Sequence, residues 1–175
     1  MTTSTLILGG ARSGKSLLAE RLAEASGLEK LYIATGLPGD EEMAARIAHH
    51  RERRTEDWRT IEEPKALADA LVRHAQAGRC LLVDCLTLWL THVLCDDDPL
   101  CFERERKNLL EVLPGLAGEV LLVSNEVGLG VVPMGELSRR FVDEAGRLNQ
   151  AIARLVPRVL FVAAGLPLAL KGNPV

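Results

Sequence analysis

The sequence predicts an α/β fold with three layers, in which helices cover both faces of a mostly parallel sheet. Five short runs of branched aliphatic residues show no polar alternation, which is typical of strands that are buried on both faces. These runs are residues 5–8, 31–34, 81–84, 120–124 and 159–163. Segments with helical periodicity lie between or beside them, at residues 17–25, 41–53, 65–77, 86–94, 101–113 and 136–155. This alternation of strands and helices favours right-handed crossovers and parallel pairing.

Length and composition limit the classes of protein to which the chain can belong. A chain of 175 residues fits one domain, residues 1–175. Apolar residues make up 47% of the chain and aromatic residues only 3%, so we expect an aliphatic core. The net charge of −3 provides no global electrostatic attraction to nucleic acid. We therefore expect small-molecule partners and no nucleic acid.

The cysteines and the apolar runs indicate the cellular compartment in which we expect the protein. The four cysteines form no CxxC pair, so reduced thiols are expected. No apolar run approaches the ~18 residues of a membrane span, and the first apolar run is too short for a secretory signal. The sequence predicts a soluble, cytoplasmic protein without membrane insertion.

Residues 9–16, GGARSGKS, fit the phosphate-binding pattern GxxxxGK[ST]. In this pattern the glycines turn backbone N–H groups toward a phosphate, the lysine reaches the β- and γ-phosphates, and the last hydroxyl can ligate Mg²⁺. An apolar strand precedes the motif and a helix follows it, so the helix N-terminus adds partial positive charge. We predict a nucleotide site formed by Gly9, Gly10, Ala11, Arg12, Ser13, Gly14, Lys15 and Ser16, with Lys15 as a catalytic residue.

Asp84 ends the apolar run LLVD, at the edge of the predicted sheet where open α/β folds bind ligands. A phosphate-binding loop commonly works with an acidic residue that holds Mg²⁺, so Asp84 and Ser16 form the candidate metal site. Asp84 can alternatively cap the helix that follows it, and the two roles are compatible.

Two adjacent histidines, His49 and His50, lie among four arginines in RIAHHRERR, residues 46–54. Metal binding is disfavoured, because neighbours on a helix point about 100° apart while ligands on one face lie three or four residues apart. A solvated helix face and a nucleophilic histidine both remain open. A neutral imidazole can carry a phosphoryl-type group, and either histidine would share a helix face with an arginine.

Six sequence blocks follow one another over nearly the whole chain: GGARSGKS, YIATG (32–36), DEEMAARIAHHRERR (40–54) with DWRTIEEP (57–64), VDCLTLW (83–89), LVSNEVGLGVVP (122–133) and FVDEAGRLNQAIA (141–153). Together they resemble one enzyme family, the bifunctional adenosylcobinamide kinase / adenosylcobinamide-phosphate guanylyltransferases of cobalamin biosynthesis. Residues 95–107 and 165–175 match no block.

The resemblance implies a RecA-like P-loop fold, a homotrimer and two reactions. The first phosphorylates the aminopropanol hydroxyl of adenosylcobinamide, with ATP or GTP as substrate and Mg²⁺ as cofactor. The second transfers GMP from GTP to that phosphate through a guanylyl-histidine, giving adenosylcobinamide-GDP and pyrophosphate. Our alignment places GMP on His49, with His50, Arg51, Glu52 and Arg53 beside the nucleotide. The neighbouring histidine, His50, stays open as the alternative.

The resemblance adds two further groups to the nucleotide site. Ala34, Thr35 and Gly36 end the second predicted strand beside the phosphate loop. Glu62 can accept hydrogen bonds from guanine, although a surface acid ahead of a helix start explains it equally well.

Two other functions are compatible with a phosphate-binding loop. A single-function P-loop kinase of a small hydroxylated metabolite would have no use for the histidine segment. A nucleotide-switched binding module would need an Asn-Lys-x-Asp guanine signature, and SNEVG stands at residues 124–128 instead.

Overall fold

The computed structural model describes residues 3–37 and 57–174. In these ranges the strands are β1 Thr3–Gly9, β2 Glu29–Ala34, β3 Arg59–Glu62, β4 Arg79–Asp84, β5 Glu119–Asn125, β6 Arg158–Ala163 and β7 Leu166–Lys171. The α-helices are α1 Lys15–Ala25, α2 Leu67–His74, α3 Leu86–Leu94, α4 Cys101–Val112 and α5 Glu136–Leu155. A short 3₁₀ turn, Leu113–Gly115, follows α4. The helix predicted over 41–53 lies outside the described residues.

The strands form one sheet in the order β3-β2-β4-β5-β1-β6-β7. Every neighbouring pair is parallel except β6 with β7, which is antiparallel. The mostly parallel sheet of the α/β prediction is therefore confirmed. Because parallel strands point the same way, the carboxyl ends of β1, β2, β3, β4, β5 and β6 share one edge of the sheet.

Alternate residues of the central strands enter two hydrophobic clusters on opposite faces of the sheet. On one face, residues such as Leu6 and Leu81 pack with α2, α3, α4 and α5 around the fully buried Trp89. On the other face, residues such as Ile7 and Leu82 pack against α1. This burial on both faces explains why the strand sequences lack polar alternation.

The sequence analysis missed both edge strands. β3 has four residues, and Ile61 is its only large aliphatic residue. β7 contains Pro167, and its Leu166, Leu168 and Leu170 are exposed. β3 is short and mostly polar, and the proline in LPLALK argues against a strand inside a sheet, so neither segment matched the pattern used for the central strands.

Helix α2 is shorter than the predicted segment 65–77. Before the helix, the Glu63 carboxylate accepts the backbone N–H groups of Lys65 (3.1 Å) and Ala66 (2.8 Å) and holds them in a turn. After His74 the backbone becomes extended at Ala75. The other described helices begin and end within two residues of the predicted bounds.

The four cysteines are unpaired thiols. In the described part of the chain, no helix combines the length and the apolar character needed to cross a bilayer.

Candidate functional site

The phosphate-binding loop connects β1 to α1 at the carboxyl edge of the sheet. Gly14, the residue before α1, has φ 98°, in the left-handed region that favours glycine. A side chain at Gly9 would bring a Cβ within 2.5 Å of Val162 O and of Ser13 Oγ. Both glycines of the pattern are therefore required by the fold of the loop itself.

Lys15 is the first residue of α1 and only 6% exposed. Its Nζ donates to Gly10 O at 2.9 Å, so the ammonium group lies against the inside of the loop. Among the described residues, the buried Ser13 hydroxyl has no hydrogen-bond partner. The first turn of α1 contains no acidic side chain, so its partial positive charge is not offset locally. These groups suit an anion.

Hydrogen bonds from residues that follow β5 and β6 hold the phosphate loop in place. On the β6 side, the Gly165 N–H in the β6–β7 turn donates to Ser13 O at 2.8 Å. A Cβ on Gly14 would lie 3.1 Å from the Gly165 Cα, which shows how closely the two backbones approach. On the β5 side, the Glu126 N–H donates to Gly9 O at 2.9 Å.

Asp84 is half-buried at the carboxyl end of β4, opposite Ala34 of β2 and Val123 of β5. Strand β5 separates β4 from β1, so Asp84 lies across one strand from the phosphate loop. The Asp84–Cys85 peptide bond is cis. The N-cap residue of α3 is Cys85 rather than Asp84, which disfavours the capping interpretation.

The end of β2 packs against the β4–α3 junction. Thr35 is fully buried, and its Oγ1 donates to Cys85 O at 2.7 Å. A Cβ on Gly36 would lie 2.8 Å from Leu88 Cδ1, so glycine permits this close approach. Ala34, Thr35 and Gly36 therefore lie at the same edge as Asp84. The prediction that they lie beside the phosphate loop is wrong, because β4 and β5 separate β2 from β1.

Glu62 ends β3 in register with Ala34, and its side chain is exposed. It lies at the same sheet edge, two strands from Asp84 in the order β3-β2-β4. His49, His50, Arg51, Glu52 and Arg53 lie outside the described residues.

The sequence analysis missed Asn125 and Thr87. Asn125 ends β5, which lies between β1 and β4 in the sheet, and it is in register with Gly9. Its Nδ2 donates to Thr87 Oγ1 at 2.8 Å, and Thr87 Oγ1 also lies 2.9 Å from Cys85 Sγ. One feature of the sequence could have indicated Asn125: the apolar run in LLVSN ends with polar residues, as the run in LLVD does.

Cys85 is not a candidate nucleophile. Burial, together with the adjacent Asp84 carboxylate, raises the pKa of its thiol. The thiol therefore stays protonated near neutral pH, and a protonated thiol is a poor nucleophile and metal ligand.

Mg²⁺ fits the oxygen donors of this edge. Among the described residues, no group of three or more His, Cys, Asp or Glu side chains could hold a metal ion. Mg²⁺ is commonly held by one or two protein oxygens together with substrate phosphates and water. The Ser16 hydroxyl and the Asp84 carboxylate provide such oxygens on the two sides of the site.

Comparisons with known proteins show the family of the chain. The family model described as cobinamide kinase / cobinamide phosphate guanyltransferase matches residues 5–170. The chain is 66% identical over 169 residues to the bifunctional adenosylcobalamin biosynthesis protein CobP of Pseudomonas aeruginosa, covering 97% of this chain and 98% of that protein. It is 38% identical to the bifunctional adenosylcobalamin biosynthesis protein CobU of Escherichia coli, covering 95% of this chain and 98% of that protein.

Solved structures share the fold. The RadB recombinase aligns with a TM-score of 0.54 at 16% identity, covering 91% of this chain and 73% of the recombinase. A KaiC-like protein of Pyrococcus horikoshii OT3 aligns with a TM-score of 0.51 at 15% identity, covering 98% of this chain and 79% of that protein. These likenesses confirm the RecA-like P-loop fold. The match to the family model indicates the kinase and guanyltransferase activities. The chain therefore belongs to the cobinamide kinase / cobinamide phosphate guanyltransferase family.

Proposed function

We propose that this chain phosphorylates adenosylcobinamide with ATP or GTP and then transfers GMP from GTP to the product, giving adenosylcobinamide-GDP and pyrophosphate. The match to the family over residues 5–170 carries the proposal. A complete phosphate loop, with Asp84 across one strand from it, supports the kinase half.

For phosphoryl transfer, the loop N–H groups and the N-terminus of α1 hold the nucleotide phosphates. Lys15 exchanges its contact with Gly10 O for phosphate oxygens and follows the charge that develops on the transferred group. Ser16 and Asp84 would hold Mg²⁺, which neutralises phosphate charge when it is bound. The oxygen of the aminopropanol hydroxyl forms a bond to the γ-phosphorus while the bond to the nucleoside diphosphate breaks, and the hydroxyl proton is released to solvent.

For guanylyl transfer, we propose His49 as the nucleophile. Its imidazole nitrogen attacks the α-phosphorus of GTP, pyrophosphate leaves, and the phosphate of the corrinoid then takes GMP from the histidine. His50, Arg51, Glu52 and Arg53 are proposed to lie beside this nucleotide. At the described sheet edge, Ala34, Thr35, Gly36 and Glu62 are proposed nucleotide contacts, supported by their common location.

We propose that Asn125 contacts the transferring phosphoryl group or the acceptor hydroxyl and that Thr87 positions it. Thr87→Val removes the acceptor for Asn125 Nδ2, so we expect the kinase kcat to fall about tenfold through misplacement of the amide, with little change in KM for the nucleotide. Steady-state kinetics with adenosylcobinamide measure this.

Two variants make the Thr87 result interpretable. Thr87→Ser keeps the hydroxyl and is expected to keep kcat. Thr91→Val makes the same substitution at an exposed position one turn further along α3 and is expected to behave as wild type. Equal kcat for Thr87→Val and Thr91→Val would exclude a positioning role.

Incubation with α-labelled GTP tests the proposed function. In the guanylyltransferase, label stays on the protein after denaturing electrophoresis, and added adenosylcobinamide phosphate removes it as adenosylcobinamide-GDP. A single-function kinase makes adenosylcobinamide phosphate but leaves the protein unlabelled. A nucleotide-switched module gives neither result.

We also propose that the enzyme works as a homotrimer in the cytoplasm. Its partners are then the corrinoid adenosylcobinamide, GTP and ATP. A corrinoid is large for a chain of 175 residues, which favours a binding cleft completed by a second subunit.

A further inference from the structure

The segment that leads from β5 to α5 exposes large apolar side chains. Leu129 is 82% exposed, Val131 96%, Val132 70% and Met134 95%. Residues 127–135, VGLGVVPMG, contain no charged residue. Grouped exposed apolar residues mark ligand-binding surfaces or interfaces, whereas single ones are common on any protein.

Hydrogen bonds hold both ends of this segment. At its start, the Glu126 N–H donates to Gly9 O at 2.9 Å, and Glu126 Oε1 accepts the Gly128 N–H at 2.5 Å. At its end, the Arg139 guanidinium donates to the carbonyl oxygens of Pro133 and Met134. The exposed side chains therefore belong to a segment whose start is joined to the phosphate loop.

We propose that residues 127–134 form the apolar surface that contacts the corrin ring of the substrate. This inference rests on the proposed function, since that function makes a corrinoid hydroxyl the phosphoryl acceptor. The hydroxyl ends a short aminopropanol arm, so while it meets the γ-phosphate near Lys15 the ring must lie one arm's length away. Residues 127–134 follow Glu126, which is hydrogen-bonded to Gly9. An extended chain spans about 3.3–3.6 Å per residue, so a few residues of this segment reach as far from the phosphate loop as the aminopropanol arm does.

The chemistry of the segment matches that of the ring. A corrin carries methyl groups and neutral amide arms around its rim, and an uncharged apolar surface contacts such a rim without leaving a charge desolvated. A second copy of the chain is the competing occupant. For that role β7 offers a more suitable surface, because it is an edge strand that exposes Leu166, Leu168 and Leu170.

The test compares two exposed-site variants of the full chain. Val131→Ser/Met134→Ser removes apolar surface from the segment. Val72→Ser, at a 57% exposed position of α2, is the matched control for a serine at an exposed valine. Kinase kinetics with adenosylcobinamide as varied substrate, GTP affinity by calorimetry and molar mass by light scattering are measured for both variants and for wild type.

We expect the double variant to raise KM for adenosylcobinamide about tenfold, as the loss of two apolar contacts implies. GTP affinity, label uptake from α-labelled GTP and the wild-type mass should stay unchanged, and Val72→Ser should match wild type throughout. An unchanged KM overturns the inference, and so does a mass that falls toward the monomer, which would assign the surface to a subunit contact. A wild-type chain that fails to phosphorylate adenosylcobinamide overturns the proposed function itself, and this inference with it.

Discussion

Replacing Lys15 by alanine is expected to lower the kinase kcat by on the order of 100- to 1,000-fold, the usual loss when one preorganised donor to developing charge is removed. Lys15 is 6% exposed, and its Nζ already points into the loop at 2.9 Å from Gly10 O. The fold of the loop therefore holds its ammonium group at the phosphate site. Initial rates of adenosylcobinamide phosphorylation at saturating nucleotide measure the effect.

Lys107→Ala is the matched control for Lys15→Ala. Lys107 lies on the surface of α4, and its ammonium group pairs with Glu111 at 3.7 Å. We expect wild-type kinetics from it. Thermal unfolding of Lys15→Ala should stay close to wild type, because alanine is a good helix former at the first position of α1. A folded Lys15→Ala enzyme with wild-type kcat would remove Lys15 from the catalytic machinery.

Replacing His49 by alanine is expected to abolish the acid-labile, base-stable label left by α-labelled GTP and to stop guanylyl transfer. The reason is chemical: a phosphoramidate cannot form once its nitrogen nucleophile is gone. Phosphorylation of adenosylcobinamide should largely survive, since Lys15, Ser16 and Asp84 are unchanged. Label on the protein and kinase rate are measured on the same preparation.

His50→Ala is the natural comparison, because it removes the same side chain one position further along. We expect it to keep the label. If His50→Ala loses the label while His49→Ala keeps it, the nucleophile is the second histidine. If both variants keep it, RIAHHRERR is a solvated face and GMP is carried by another residue.

The sequence predicted the buried part of the fold well, for a physical reason. Strands such as β4 and β5 are covered on both faces, so their sequences are continuous apolar runs. Edge strands β3 and β7 have one neighbour each, and their pairing depends on backbone hydrogen bonds that leave little trace in side-chain type. RTIE contains two strand-favouring residues, but four residues are too few for a local pattern to identify a strand.

The candidate site also has a part that the local sequence predicts and a part that it does not. The phosphate loop could be read from the sequence because its glycines and lysine are required locally, within eight residues. Asp84 could be read from its place at the end of an apolar strand. The contact of Asn125 with Thr87 joins residues 38 positions apart, and the contact of Thr35 with Cys85 joins residues 50 apart. Such contacts follow from strand order, which local patterns do not specify.

The hydrogen bond from Gly165 to Ser13 has a consequence for the thermodynamics of nucleotide binding. Together with the bond from Glu126 to Gly9, it holds the loop backbone through contacts that do not involve a nucleotide. Ordering a residue's backbone costs about 1–2 kcal/mol of conformational entropy, and here that cost is met during folding rather than during binding. Substitutions in the β6–β7 turn, which need not touch the nucleotide at all, would therefore change its binding entropy more than its binding enthalpy.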